Sequence, residues 1–193
     1  MKVALFFGSF NPIHVGHLII ANYIAETTDI DKVWLVVSPQ NPLKQKSSLL
    51  NEYDRLHLVN LAIENNFNLE SCNIEFGLPK PSYTINTLIY LKEKHPEINF
   101  SLIMGGDNIA TILKWKNYEK ILKNYSIFIY KRPGFEEIPR GINGDIKLLD
   151  VPLLDISSTF IRDSISKGIS MKYFLPDAVE NYITEMNLFR SKV

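Results

Sequence analysis

Val3-Ala4-Leu5-Phe6-Phe7-Gly8-Ser9-Phe10-Asn11-Pro12-Ile13-His14-Val15-Gly16-His17 is the stretch that decides the fold. Residues 3–7 are a continuous apolar run, which reads as a strand buried on both faces. Gly8 has no Cβ and lets a ligand approach the backbone. Pro12 stiffens the turn that follows, and a helix is predicted to begin around His17. His14 and His17 are three apart, so on a first helical turn they face the same side. A helix start offers unpaired N–H groups and the positive end of its dipole, which together attract anions. Two imidazoles there can donate to phosphate oxygens and stabilise charge that grows in a transition state. The alternatives are one packing and one capping histidine, or a metal pair. No Cys or acidic residue stands nearby at ligand spacing.

Further along the chain, residues 33–37, 100–104 and 127–130 repeat the apolar run. Between them lie segments with helical spacing. Leu18, Ala21 and Ile24 form one stripe; Tyr53, Leu56 and Val59 form another, behind an Asn51 cap with Glu52 and Asp54 in the first turn. Ile85, Leu88, Ile89 and Lys92 follow Ser82 and Thr84, and Val179, Tyr182, Ile183 and Met186 follow Pro176 and Asp177. Strand and helix alternate with short connections, the mark of an α/β doubly wound parallel sheet. Its ligand crevice should lie beyond the carboxyl ends of the strands, at the switch point. Residues 133–145 are polar and turn-rich and read as an exposed loop. One domain is expected over 1–193, with a sheet core over 1–155 and a small C-terminal helical part over 156–193.

The composition narrows the function. The chain has 193 residues, 46% of them hydrophobic and 22% charged, enough for a sizeable core. Lys plus Arg and Asp plus Glu number 21 each. That balance argues against a nucleic-acid or membrane-surface binder, though not against a local basic pocket. Cys72 is the single cysteine, so no intrachain disulfide forms. The first apolar run is too short for a membrane span or a signal h-region. A cytoplasmic protein is expected.

A second chemical signal is Ile156-Ser157-Ser158-Thr159-Phe160-Ile161-Arg162. Three hydroxyl residues ahead of an apolar pair read as a helix N-terminus that could hold more phosphate oxygens. Arg162, one turn in, can bind phosphate through two parallel hydrogen bonds. An ordinary cap with a surface arginine is the plain alternative. With the first motif present, the pair resembles the G-x-F-x-P-x-H-x-G-H and I-S-S-T-x-[IV]-R signatures of the nucleotidyltransferase superfamily. The resemblance covers nearly the whole length. It implies a Rossmann-like core, with ATP held by Gly8, Ser9, Phe10, His14, Gly16 and His17 on one side. Ser157, Ser158, Thr159 and Arg162 would clamp the triphosphate from the other, and His14, His17 and Arg162 would be catalytic.

Three further segments resemble the nicotinate-mononucleotide adenylyltransferase branch. Pro81-Ser82-Tyr83-Thr84 opens a helix, and the resemblance puts the nicotinate carboxylate on Thr84, beside Tyr83. Gly105-Gly106-Asp107-Asn108 follows a strand. Glycines there permit close backbone approach, and Asp107 can accept from ribose hydroxyls. Trp115 suits stacking on a pyridinium ring, although a core role is the commoner fate of a tryptophan. The resemblance adds the Lys116 N–H as a carboxylate donor. Pro39-Gln40-Asn41-Pro42-Leu43-Lys44 departs from the branch: Leu43 replaces a histidine, leaving Lys44, helped by Lys46, for the mononucleotide phosphate. Arg132, in Lys131-Arg132-Pro133-Gly134, corresponds to the segment near adenine and ribose, or is a solvated loop residue.

The implied reaction joins the AMP part of ATP to nicotinate mononucleotide and releases pyrophosphate, in NAD biosynthesis. A phosphate with a second pKa near 6 is already a dianionic nucleophile at pH 7 and requires no general base. No cluster of carboxylates suggests a metal cage, so Mg²⁺ is expected to arrive with ATP. Cys72 sits in no catalytic constellation. The alternatives are a nicotinamide-mononucleotide preference, another superfamily transferase, and a nucleotide-sensing module without turnover. A homo-oligomer is compatible with the sequence, which does not decide the matter.

Overall fold

The run at residues 3–7 becomes the middle of a sheet, because both of its faces are apolar. Val3 and Leu5 point into one core, Ala4 and Phe6 into the other. The computed structural model describes residues 1–39, 49–152 and 154–190. In chain order the elements are β1 (Lys2–Gly8), α1 (Val15–Thr27), β2 (Lys32–Val37), α2 (Glu52–Ile63), β3 (Leu69–Cys72) and a 3₁₀ turn (Ile74–Gly77). Then come α3 (Thr84–Lys94), β4 (Asn99–Gly105), α4 (Gly106–Ile109), a second 3₁₀ turn (Ile112–Lys114), α5 (Tyr118–Asn124), β5 (Ile127–Tyr130), β6 (Ile146–Leu148), α6 (Ser158–Ser166) and α7 (Asp177–Glu185).

The strands form one six-stranded sheet in the order β3-β2-β1-β4-β5-β6, and every pairing is parallel. This is the Rossmann-like doubly wound order. The chain builds outward one way through β3, then returns to the centre with β4. The switch point therefore lies between the carboxyl ends of β1 and β4, at Gly8 and Gly105. Helices α1, α2, α6 and α7 fill one face through Ile20, Ile24, Leu58, Val59, Ile161, Val179 and Ile183. Helices α3 and α5 cover the other through Leu88, Leu91 and Ile121.

Several expectations need correction. The strands β3 and β6 were absent from the apolar runs, because both are sheet edges with polar sequences, LESC and IKL. A strand with one open side has no need of a continuous apolar run. In α2 the Asn51 cap is present, its side chain accepting from the Tyr53 N–H at 2.9 Å. The buried stripe is displaced, however: Arg55, Leu58, Val59 and Ile63 face inward, and Tyr53 lies 64% exposed. Ile89 and Met186 are likewise exposed, with Leu91 taking the inward place in α3. The C-terminal part shares the main core through Ile161, Val179 and Ile183, and the Tyr182 ring lies 4.6 Å from that of His57 on α2.

Candidate active site

Helix α1 starts at Val15, two residues before the expected His17, and His14 is its N-cap. The His14 N–H donates to Nδ1 of His17 at 3.3 Å. The two rings lie 3.7 Å apart, tilted by 32°. Because Nδ1 of His17 accepts, a proton on an uncharged His17 ring would sit on Nε2. Beneath it, the Phe10 ring meets His17 edge-on at 5.0 Å, and Phe6 does so at 5.9 Å.

This packing revises the reason for Gly8. A Cβ at Gly8 would lie 2.7 Å from the Phe10 ring, so the glycine also makes room for that ring. Phe10 itself adopts φ 44° and is buried, with its ring packed against His17. Gly16 serves a similar purpose, since its Cβ would press on His14 Nδ1 at 3.0 Å and stand 3.7 Å from Ile156.

His14 is 4% exposed. Burial, and secondarily the charge of Arg132, pushes its pKa down to about 4. At neutral pH it is therefore an uncharged imidazole, and its side chain faces the His17 backbone N–H in a capping-box arrangement, with Nδ1 buried and making no well-formed hydrogen bond among the described residues.

The late motif adjoins the early one. Ser158 Oγ donates to the Pro12 carbonyl at 2.9 Å, across 146 residues of sequence. Arg162 Nη1 donates to the Asn11 carbonyl at 2.9 Å, and Nη2 lies 3.3 Å from Thr159 Oγ1. Ser157 Oγ accepts from the Phe160 N–H at 3.2 Å and so caps α6. The Ser157 and Ser158 hydroxyls, expected on phosphate, thus also hold the fold. What α6 offers an anion is its first-turn N–H groups and the rest of the Arg162 fork.

Across the switch point stands Arg132. Its Nε is 3.4 Å from Asp107 Oδ1, and its Nη2 donates to the Tyr130 hydroxyl at 3.2 Å. Its charge acts on His14, while 40% of its side chain stays exposed. The two glycines ahead of Asp107 are explained by this cluster. A Cβ on Gly105 would meet Asp107 Oδ1 at 2.4 Å, and one on Gly106 would meet the Phe135 carbonyl at 2.0 Å. They admit the chain's own carboxylate and the turn that carries Arg132.

The remaining expected residues gather on the other side of β4. Tyr83 is the N-cap of α3 and Thr84 its first residue. Lys116 Nζ sits 4.8 Å above the Tyr83 ring. Trp115 is half-buried and packs against the α3-side core; its backbone N–H donates to the Ile112 carbonyl at 2.9 Å. Lys44, with Leu43 and Lys46, lies outside the described residues.

Arg55 was missed by the sequence reading. It is fully buried, and its guanidinium donates to the carbonyls of Leu50 (3.0 Å), Ser9 (2.6 Å), Ser38 (2.8 Å) and Pro39 (3.3 Å). It ties the end of β1 to the end of β2. Asn11 assists, accepting from the Leu50 N–H at 3.2 Å. An arginine inside an amphipathic helix gives no sequence signal of such a role. Among the described residues no group of three or more His, Cys, Asp or Glu could hold a metal ion. The Cys72 thiol is free, and burial pushes its pKa up, away from a reactive thiolate. No helix among the described residues is long and apolar enough to cross a membrane.

Comparison with known proteins agrees with this geometry. The cytidylyltransferase-like family model matches residues 5–164. The probable nicotinate-nucleotide adenylyltransferase of Flavobacterium psychrophilum is 50% identical over 98% of this chain and 100% of its own length. That of Cytophaga hutchinsonii is 50% identical over 95% of each. Among solved structures, Plasmodium falciparum nicotinic acid mononucleotide adenylyltransferase, complexed with NaAD, superposes with a TM-score of 0.83 over 97% of both chains. Its 24% identity speaks for the fold alone. The chain belongs to the cytidylyltransferase-like family, in its nicotinate-nucleotide adenylyltransferase branch.

Proposed function

We propose that the protein transfers AMP from MgATP to nicotinate mononucleotide, giving nicotinate adenine dinucleotide and pyrophosphate, as a step of NAD biosynthesis in the cytoplasm. One observation carries the reading: the paired His14 and His17 rings and the start of α6 with Arg162 adjoin, joined through Asn11 and Pro12. Two helix starts of positive polarity facing one space suit a polyphosphate.

The mononucleotide phosphate is a dianion and attacks the α-phosphorus in line. A bond forms from its oxygen to that phosphorus, the α–β bridging bond breaks, and pyrophosphate leaves with the electron pair. The chain's part is alignment and charge stabilisation. His17 Nε2–H and the α1 start act on the α-phosphate. His14, Thr159, the α6 first turn and Arg162 hold the β and γ phosphates, and Arg132 with Asp107 flanks the adenosine. Thr84, Lys116 and Trp115 receive the pyridine ring and its carboxylate. Mg²⁺ would enter as part of the MgATP substrate.

The test is to incubate the protein with MgATP and, separately, nicotinate mononucleotide, nicotinamide mononucleotide and phosphopantetheine, and to follow pyrophosphate release. Release that is fastest with nicotinate mononucleotide is expected. Preference for another acceptor would overturn the substrate assignment, and release with none would favour a nucleotide sensor.

A further inference from the structure

Glu75 has no place in the reaction as described, yet it is 1% exposed directly under the start of α3. A carboxyl removed from water is costly unless it is hydrogen-bonded. Its Oε1 accepts from the Thr87 hydroxyl at 2.8 Å. Thr87 is itself fully buried. A threonine in a helix usually turns its hydroxyl back to the carbonyl four residues earlier, here Tyr83. In this helix the hydroxyl instead leaves α3 and bonds to the 3₁₀ turn after β3.

The carboxyl also faces other elements. Burial pushes the Glu75 pKa up, while the hydroxyls of Thr87, Ser38 and Ser82 pull it back. Neither Glu75 Oε2 nor Ser82 Oγ makes a fully formed hydrogen bond. Ser38 ends β2: its N–H donates to the Gly8 carbonyl at 2.9 Å, and its own carbonyl accepts from Arg55 at 2.8 Å. Ser82 immediately precedes the Tyr83 N-cap. One buried carboxyl therefore meets the end of β2, the approach to α3 and the first full turn of α3.

Thr84 and Thr87 are three apart and lie on one side of that helix. Whatever fixes Thr87 fixes the direction in which the Thr84 N–H and hydroxyl point. We infer that Glu75 is a positioning residue, which holds the N-terminus of α3 in register so that Thr84 meets the carboxylate of the mononucleotide. The inference rests on the substrate reading above. It makes Glu75 act mainly on the mononucleotide, through α3, since the ATP groups come from α1, α6 and the turn bearing Arg132.

The experiment measures KM for each substrate and kcat in Glu75→Ala, Glu75→Gln and Thr87→Val, well below each variant's melting temperature. Glu75→Ala should raise KM for nicotinate mononucleotide about tenfold, the size of one lost positioning hydrogen bond, and leave KM for ATP unchanged. Thr87→Val, which keeps the shape and removes the hydroxyl, should move the same constant in the same direction. Glu75→Gln should stay near wild type, because its amide oxygen still accepts from Thr87. Equal rises in both KM values, or an unchanged mononucleotide KM in Glu75→Ala and Thr87→Val, would overturn the inference. So would a Glu75→Gln as damaged as Glu75→Ala. Should Glu75→Ala fail to fold, the other two variants carry the same comparison. An error in the substrate reading appears separately, in the wild type, as a preference for a different mononucleotide.

Discussion

The two halves of the proposed site are built differently. The proposed triphosphate half is knit from distant parts of the chain: α1 and α6 are joined by Ser158 to Pro12 and by Arg162 to Asn11, and His17 meets the buried Phe10 and Phe6 rings edge-on. The mononucleotide half is made of turns. Tyr83, Thr84, Trp115 and Lys116 stand at or beside helix ends, partly exposed, and the Lys116 ammonium sits over the Tyr83 ring. In the first half the functional groups also hold the backbone; in the second they rest on a scaffold held by others. Chemistry common to all substrates can be welded into the core in this way, while acceptor choice is left to side chains that can change without disturbing it.

Breaking the welded half should cost the most. His17→Ala removes the Nε2–H donor, while the Phe10 and Phe6 rings remain packed below. Single-turnover and steady-state assays should give a kcat about 10²–10³ lower, by analogy with loss of one transition-state donor, and a nearly unchanged mononucleotide KM. Turnover close to wild type would remove His17 from the chemistry. Arg162→Ala comes next. It deletes a charge-assisted donor to phosphate as well as the bond to the Asn11 carbonyl. KM for ATP should rise roughly 10- to 100-fold, and the mononucleotide KM much less.

The same contrast governed what could be read from sequence. Strands β1, β2, β4 and β5 were legible because burial on both faces demands apolar runs. The edges β3 and β6 were not, because their open sides tolerate Glu70 and Lys147. That the early and late motifs would adjoin was legible, because glycine and hydroxyl residues mark helix starts locally. The reason for Gly8, Gly105 and Gly106 was not, because it depends on Phe10, Asp107 and Phe135 folding back onto them. Arg55 and Glu75 were invisible for a related reason. Each satisfies groups on several elements, and no local pattern records a contact between residues 9, 38 and 55.

The turn-built half should give a smaller and more selective loss. Trp115 keeps one edge against the core, so Trp115→Ala should leave a folded enzyme. Removing a stacking face is worth about 1–3 kcal/mol, so KM for nicotinate mononucleotide should rise on the order of tenfold with KM for ATP unchanged. Initial-rate measurements with each substrate varied in turn would decide it. Equal damage to both constants would mean that Trp115 is a packing residue that only borders the ligand.

The smallest effect at neutral pH belongs to His14, and it separates burial from function. Its folded pKa of about 4 lies below the ordinary 6.5, so the unfolded chain takes up a proton first as pH falls. The stability linked to this depressed pKa is fully present above about pH 6.5. It is lost progressively between there and pH 4, then changes no further. The full span corresponds to roughly 3 kcal/mol. His14→Gln replaces the titrating ring with a neutral amide. Thermal melts of wild type and variant at a series of pH values should therefore diverge in slope between pH 6.5 and 4 and run parallel above pH 7. Parallel curves throughout would mean that His14 takes up its proton as readily in the folded protein as in the unfolded chain. The welded half would then be open to water, and the contrast between the two halves would lose its physical basis.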